Sequence, residues 1–282
     1  MRDYGRVTSP RSNPNSELDR VEESSAHVSD ATDVSGMTDV SGAADAPADR
    51  DAERRERARL YPRVTSFRSR RGSLTQAQQQ NWEELWPRIG RDVSETEQVD
   101  PTAWFGRSAP LILEIGCGTG TSTAAMAADE PDTDVIAVDV YRPGIAQLLG
   151  AIKRAGLDNI RVIRGDAVIV LKNMLAPASL TGVRVFFPDP WPKARHHKRR
   201  LLQPETLVQI AHVLRDGGVL HIATDHADYA ESIAGVIDGQ SVLTPTDQAV
   251  PFSIERPVTK FEGRAAREGR PVTEFVLTRV PR

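Results

Sequence analysis

Residues 111–120 read LILEIGCGTG, and this stretch decides the fold. Leu111 to Ile115 is an apolar run of strand length, read as a buried strand. Three glycines follow at alternate positions, where the backbone must turn sharply and come close to whatever lies in front of it. A helix of small residues comes next. Working outward, VIAV (135–138) is a second strand ending at Asp139. Pro143 then opens a helix whose Ile145, Leu148, Leu149 and Ile152 fall at i, i+3, i+4 and i+7. IRVI (160–163) and VRVFF (183–187) are the third and fourth strands. Leu207, Ile210, Ala211 and Leu214 mark another helix, expected to stop at Gly217-Gly218. VLHIA (219–223) and TEFVLTRV (273–280) complete the series. Regular alternation of strand and helix predicts a doubly wound α/β sheet with helices on both faces.

Composition narrows the setting. No apolar run approaches the roughly 18 residues that span a bilayer, and the start, MRDYGRVTSP, has no apolar core of the kind a secretory leader carries. Cys117 is the single cysteine, which excludes an internal disulfide and any multi-cysteine zinc site and fits a reduced, cytoplasmic setting. The formal net charge of −3 comes from the N-terminal tail: residues 1–60 hold 13 acids against 9 Lys/Arg, the remainder 26 against 27. That tail is poor in aromatics and lacks any helix or strand period, so residues 1–60 are expected to be disordered and residues 61–282 to form the folded domain. Nine arginines between 50 and 71 make either a solvated linker or an arm that touches RNA phosphates.

Ligands of such sheets bind beyond the C-terminal strand ends. Glu114, Gly116 and Gly118 stand there after the first strand, Asp139 after the second and Asp166 after the third. The glycine spacing is G-x-G-x-G with an acid two residues ahead, rather than the G-x-G-x-x-G of pyrophosphate binders. A carboxylate at Glu114 suits an amino-bearing or cationic ligand, Asp139 a ribose diol and Asp166 an adenine amino group. Each acid taken singly could instead be a helix cap or turn residue. Together they resemble the S-adenosylmethionine site of Rossmann-like methyltransferases.

After the fourth strand comes FFPDPWPKARHHKRR, Phe186 to Arg200. Here the sequence closely resembles the bacterial tRNA (guanine-N7-)-methyltransferase family, through the PDPW turn at Pro188–Trp191, the basic run Lys193–Arg200, ATDH at 223–226 and TKFEGRA at 259–265. The resemblance covers about residues 60–282. It implies a Rossmann-like methyltransferase sheet, mostly parallel with an antiparallel C-terminal strand, and methyl transfer from S-adenosylmethionine to guanine N7 at position 46 of the tRNA variable loop. Asp189 matches the family's active-site aspartate and could also touch the cofactor. Lys193, Asp225, Thr259, Lys260, Phe261 and Glu262 are carried over as substrate contacts, although Asp225 could instead cap the following helix. Arg195, Lys198, Arg199 and Arg200 are expected along the RNA backbone. Trp191 could stack on a base or pack beneath the turn. Two departures stand out: Asp139 replaces a frequent glutamate, and Pro192 a frequent histidine.

Guanine N7 has an in-plane lone pair and no proton, so this chemistry needs alignment rather than a base to create the nucleophile. His196 and His197 are adjacent and lack a supporting carboxylate pair, so no metal is expected. Rival readings are a methyltransferase of another RNA, a nicotinamide oxidoreductase, for which no convincing Tyr/Lys or His pair is present, and a non-catalytic RNA-binding protein, which would have no reason to keep Glu114, Asp139, Asp166 and Asp189 together.

Overall fold

The computed structural model describes residues 6–8, 74–257 and 268–282. Its strands are β1 (Arg6–Thr8), β2 (Gly90–Asp92), β3 (Leu111–Ile115), β4 (Asp134–Asp139), β5 (Ile160–Arg164), β6 (Leu180–Phe186), β7 (Leu214–Thr224), β8 (Leu243–Pro245) and β9 (Val272–Arg279). Its helices are α1 (Gln76–Ile89), α2 (Pro101–Phe105), α3 (Thr121–Asp129), α4 (Arg142–Ala155), α5 (Ala167–Ile169), α6 (Pro204–Val213) and α7 (Ala227–Asp238). A 3₁₀ turn covers Ala194–Arg199. The sheet runs β1-β9-β7-β6-β3-β4-β5-β2, with β8 also against β9.

Strands β2 to β7 pair in parallel, whereas β9 is antiparallel to β7, β1 and β8. The expected mostly parallel sheet with its antiparallel C-terminal strand is therefore present. Chain order reverses between β3 and β6, the switch point at which such sheets open a crevice. Every residue of β3 is buried, as parallel strands covered on both faces require. Alternation sorts the two cores. Ile136 and Val138 join the core that holds Leu207, Ile210 and Ile233 of α6 and α7, while Val135 and Ala137 join the one that holds Trp82, Ile145, Leu148 and Leu149 of α1 and α4.

Three details differ from the expectation. Helix α6 ends at Val213, and Leu214 already pairs with Leu180, so Gly217-Gly218 lies inside β7 rather than capping a helix. The register shifts there, and Gly217 takes φ +72°, the bulge geometry that glycine tolerates. Helix α1 was not read from the sequence, although Thr75 and Gln78 form a reciprocal capping box at its start. Finally, Arg6–Thr8, within the segment expected to be disordered, adds to the outer edge of β9, opposite Glu274 to Val272. Two of the three are β-branched and an open strand edge is available. The other residues of 1–60 and the arginine-rich stretch at 50–71 lie outside the described residues.

Where β6, β7 and β9 carry the face shared with Glu114, the cover is a loop instead of a helix, and the layer is charged. Arg184 on β6 is fully buried, bonds Glu130 at 2.6 Å and stacks on Phe252 at 5.0 Å. Glu274 on β9 receives Arg256 through Nε at 2.9 Å and Nη2 at 2.7 Å, with His221 Nε2 at 3.3 Å. Burial by itself raises the Glu274 carboxyl, but His221 and Arg256 outweigh it and hold the group at about 2. Because this folded-state value lies below the ordinary 4.5, the stabilisation is full above 4.5 and disappears as pH falls toward 2. Glu274→Gln should therefore melt several degrees lower at neutral pH and converge with the parent on acidification. Parallel melting curves across that acid range would show that Glu274 contributes no linkage.

Candidate active site

A cleft of about 1100 Å³ opens over the C-terminal ends of β3, β4, β5 and β6. Strand polarity puts polar groups there: within the strands side chains are packed on both faces, and only at the ends can carboxylates reach solvent. Four expected acids, Glu114, Asp139, Asp166 and Asp189, line this one cleft.

The glycine loop forms its floor. Gly116 and Gly118 sit at φ +81° and +56°, and a Cβ on either would meet only open space. On the opposite side, a Cβ on Gly144 in the first turn of α4 would lie 2.4 Å from the Gly118 carbonyl oxygen, so that helix can approach the loop only with glycine at this position. Asp139 ties the loop to β4: its carboxylate accepts the Gly118 N–H at 2.6 Å and the Tyr141 N–H at 2.8 Å. Burial pushes the Asp139 pKa up, these amides oppose the shift, and the charge of Asp189 adds to it, which places the two carboxylates within electrostatic reach of each other. Asp166 is buried and accepts the Val168 N–H at 2.9 Å, so it caps α5 while also facing the cleft.

Glu114 is 3 % exposed, and its Oε2 has no hydrogen-bond partner among the described residues. Burial raises its pKa, with the Arg184 guanidinium opposing. A buried acceptor of this kind is costly unless a donor arrives. An orphaned carboxylate oxygen, a glycine floor and two further acids fit a nucleoside ligand that carries an ammonium and a ribose, and so fit S-adenosylmethionine. Holding it would fall to Glu114, Gly116, Gly118, Asp139 and Asp166.

The turn after β6 forms the opposite wall. Phe187 and Trp191 bracket Pro188-Asp189-Pro190 with φ +49° and +47°, a left-handed conformation that costs side-chain-bearing residues about 1–3 kcal/mol each. Two contacts hold the first bracket: the Phe187 N–H donates to Ala223 O at 2.8 Å, and Arg256 stacks on its ring at 5.0 Å. At the second, Arg199 lies 5.1 Å from the Trp191 ring centroid and His196 meets that ring edge-on at 5.7 Å. Trp191 thus lines the cleft and packs on its own turn at once.

The basic run divides. Lys198 and Arg199 reach the cleft rim, and Arg195 is exposed away from it, beside His196. Arg200 corrects the expectation of a phosphate contact. It is 3 % exposed, donates through Nε to Pro190 O at 2.8 Å, pairs with Asp228 and lies 4.9 Å above the Tyr229 ring. A guanidinium engaged in this way ties the PDPW turn to α7 and, although Arg200 also lines the cleft, leaves little of its surface for a phosphate. Lys193 is exposed at the start of the 3₁₀ turn and lies outside the cleft wall. Asp225 pairs with Arg270 at 2.5 Å, while the cap position of α7 belongs to His226. Thr259, Lys260, Phe261 and Glu262 lie outside the described residues.

Sequence reasoning missed the α6 side of the cleft, where Glu205, Thr206 and Gln209 face in and Gln209 Oε1 is buried without a partner among the described residues. The available signal was their i, i+4 spacing beside an otherwise apolar stripe. Among the described residues no three His, Cys, Asp or Glu side chains gather as a metal-binding group, and no helix is long and apolar enough to cross a membrane.

A family model described as "Putative methyltransferase" matches residues 108–275. The tRNA (guanine-N(7)-)-methyltransferase of Nocardia farcinica is 58 % identical over 234 residues, covering 79 % of this chain and 87 % of that protein. The one from Rhodococcus jostii is 59 % identical over 223 residues, covering 79 % and 86 %.

Arg200→Ala should lower Tm by roughly 4–8 °C, as expected for losing a buried charged hydrogen bond in a domain of this size, whereas Lys198→Ala should leave it unchanged. Equal, negligible effects of both substitutions on thermal unfolding would return Arg200 to the exposed basic run.

Proposed function

The chain belongs to the tRNA (guanine-N(7)-)-methyltransferase family, and from that premise we propose that it methylates guanine N7 in tRNA, at position 46 of the variable loop, using S-adenosylmethionine. The observation that supports this most directly is the convergence of Glu114, Asp139, Asp166 and Asp189 on one cleft whose rim carries Lys198 and Arg199. Held by Glu114, Gly116, Gly118, Asp139 and Asp166, the cofactor would supply an electrophilic methyl group to N7 and would leave as the neutral thioether, with the positive charge passing to the purine.

Every other requirement falls on the chain. No proton has to leave N7, so no side chain is needed to create the nucleophile. Glu114 offers an unpartnered carboxylate oxygen to an ammonium. Asp139, already bonded to the glycine loop, faces a ribose diol, and buried Asp166, at the cap of α5, faces an adenine amino group. Asp189 stands on the opposite wall, where its carboxylate accepts hydrogen bonds from guanine and faces the positive charge that develops on the ring. Its position is set by the strained turn, and holding reactants in line can lower a barrier by roughly 7–11 kcal/mol. Lys198 and Arg199 draw in the phosphate backbone by an interaction that weakens with salt. Lys193, Asp225, Arg195 and the 259–262 segment are assigned to the remaining tRNA surface on the family pattern. Arg200 is withdrawn from that set.

The test is methyl transfer from labelled S-adenosylmethionine to unmodified tRNA transcripts, with the product mapped by nuclease digestion and mass spectrometry. N7-methylguanine at one variable-loop position is expected. Asp189→Ala should lose most of the single-turnover rate, about 100-fold or more, while tRNA affinity changes little. Cofactor binding without methylation of any tRNA would redirect the search to another acceptor.

A further inference from the structure

Arg256 belongs to none of the cofactor or substrate contacts described above, yet its side chain is almost fully buried behind the turn that carries Asp189. On one side its guanidinium is fixed by Glu274 through two bonds, and Glu274 is itself held by His221. On the other side the same guanidinium lies 5.0 Å from the Phe187 ring centroid and 6.0 Å from that of Phe186. The His221 ring meets Phe186 edge-on at 5.0 Å. A planar cation locked by two N–H bonds to one carboxylate oxygen and laid against an aromatic ring is stiffer than either contact alone.

That ring matters because Phe187 is the first left-handed residue of the turn. Conformations of this kind persist only where surrounding contacts over-determine them. With the stack removed, Phe187 can relax toward ordinary backbone geometry, and Asp189, two residues later, moves with it. The Pro190 end stays tied by Arg200, so relaxation would swing the carboxylate and leave the turn attached.

We propose that Arg256 is a positioning residue for methyl transfer, acting through Phe187 to aim the Asp189 carboxylate. The assignment rests on the methyltransferase reading above. Glu274 serves as its anchor, so the charged layer beneath β6, β7 and β9 supports the reaction as well as the fold. A Lys at 256 would keep the charge but lose both the fork to Glu274 and the flat face toward the ring.

A double-mutant cycle separates positioning from plain stability. Parent, Arg256→Lys, Phe187→Leu and the double variant are compared for single-turnover methylation of tRNA, S-adenosylhomocysteine affinity and Tm. Each single substitution should slow the single-turnover step by roughly tenfold or more, since small misplacements near the chemistry are costly in rate. S-adenosylhomocysteine affinity should stay within about twofold of the parent, because the glycine-loop wall is untouched. The double variant should be no slower than the worse single variant. Multiplicative losses would mean that Arg256 and Phe187 act independently and would overturn the proposal. So would a rate in either single variant equal to the parent's. If Arg256→Lys does not fold at assay temperature, Glu274→Gln with Phe187→Leu forms the same cycle from the anchor side, with the same two outcomes. A parent protein that methylates no tRNA would remove the functional reading and this role with it. An active parent with independent variants removes this role alone.

Discussion

Parallel strands buried on both faces leave a polar side chain one place to meet a ligand, the C-terminal edge of the sheet. Everything in the site follows from that constraint. The switch point between β3 and β6 opens the crevice, and consecutive strand ends deliver Glu114, Asp139, Asp166 and Asp189 to its two walls. The cofactor wall is rigid because glycine at 144 lets α4 press against the loop and Asp139 bonds the loop amides. The opposite wall is a different construction. It is a short turn in strained backbone, held from outside by arginines.

Those arginines give the turn its character. Arg200 grips the Pro190 carbonyl and docks on α7; Arg256 backs Phe187 and docks on β9. Both are buried, and both counter-ions come from distant parts of the chain, Asp228 and Glu274. The Asp189 carboxylate therefore sits on an element whose geometry depends on the C-terminal half of the protein having folded. A buried ion pair is weak evidence for net stability. A buried pair that fixes a strained turn has a second effect, on where the next side chain points.

Much of this is legible in the sequence. Periodicity located β3 to β6, α4 and β9, because parallel strands and amphipathic helices announce themselves through local burial. The four acids could be placed at strand ends for the same reason. Helix α1 was missed although its capping box is plain in Thr75–Gln78, since its apolar stripe is diluted by glutamines. The end of α6 was misjudged because a glycine pair signals a helix stop and a strand bulge equally well. Arg200 was misassigned for a deeper reason: within KRR no local pattern distinguishes a cation that faces RNA from one that faces Asp228, 28 residues later. Arg256 and Gln209 were invisible in the same way, because their meaning lies in long-range contacts.

The central claim is that this site catalyses by alignment and not by proton transfer. Single-turnover methylation measured against pH, with saturating cofactor and tRNA, tests it most directly. A nucleophile without a proton predicts a flat profile across the neutral range, unaffected by the histidines around the turn. A rate that followed a group titrating near neutrality would contradict the account and require an acid or base at the reacting atoms.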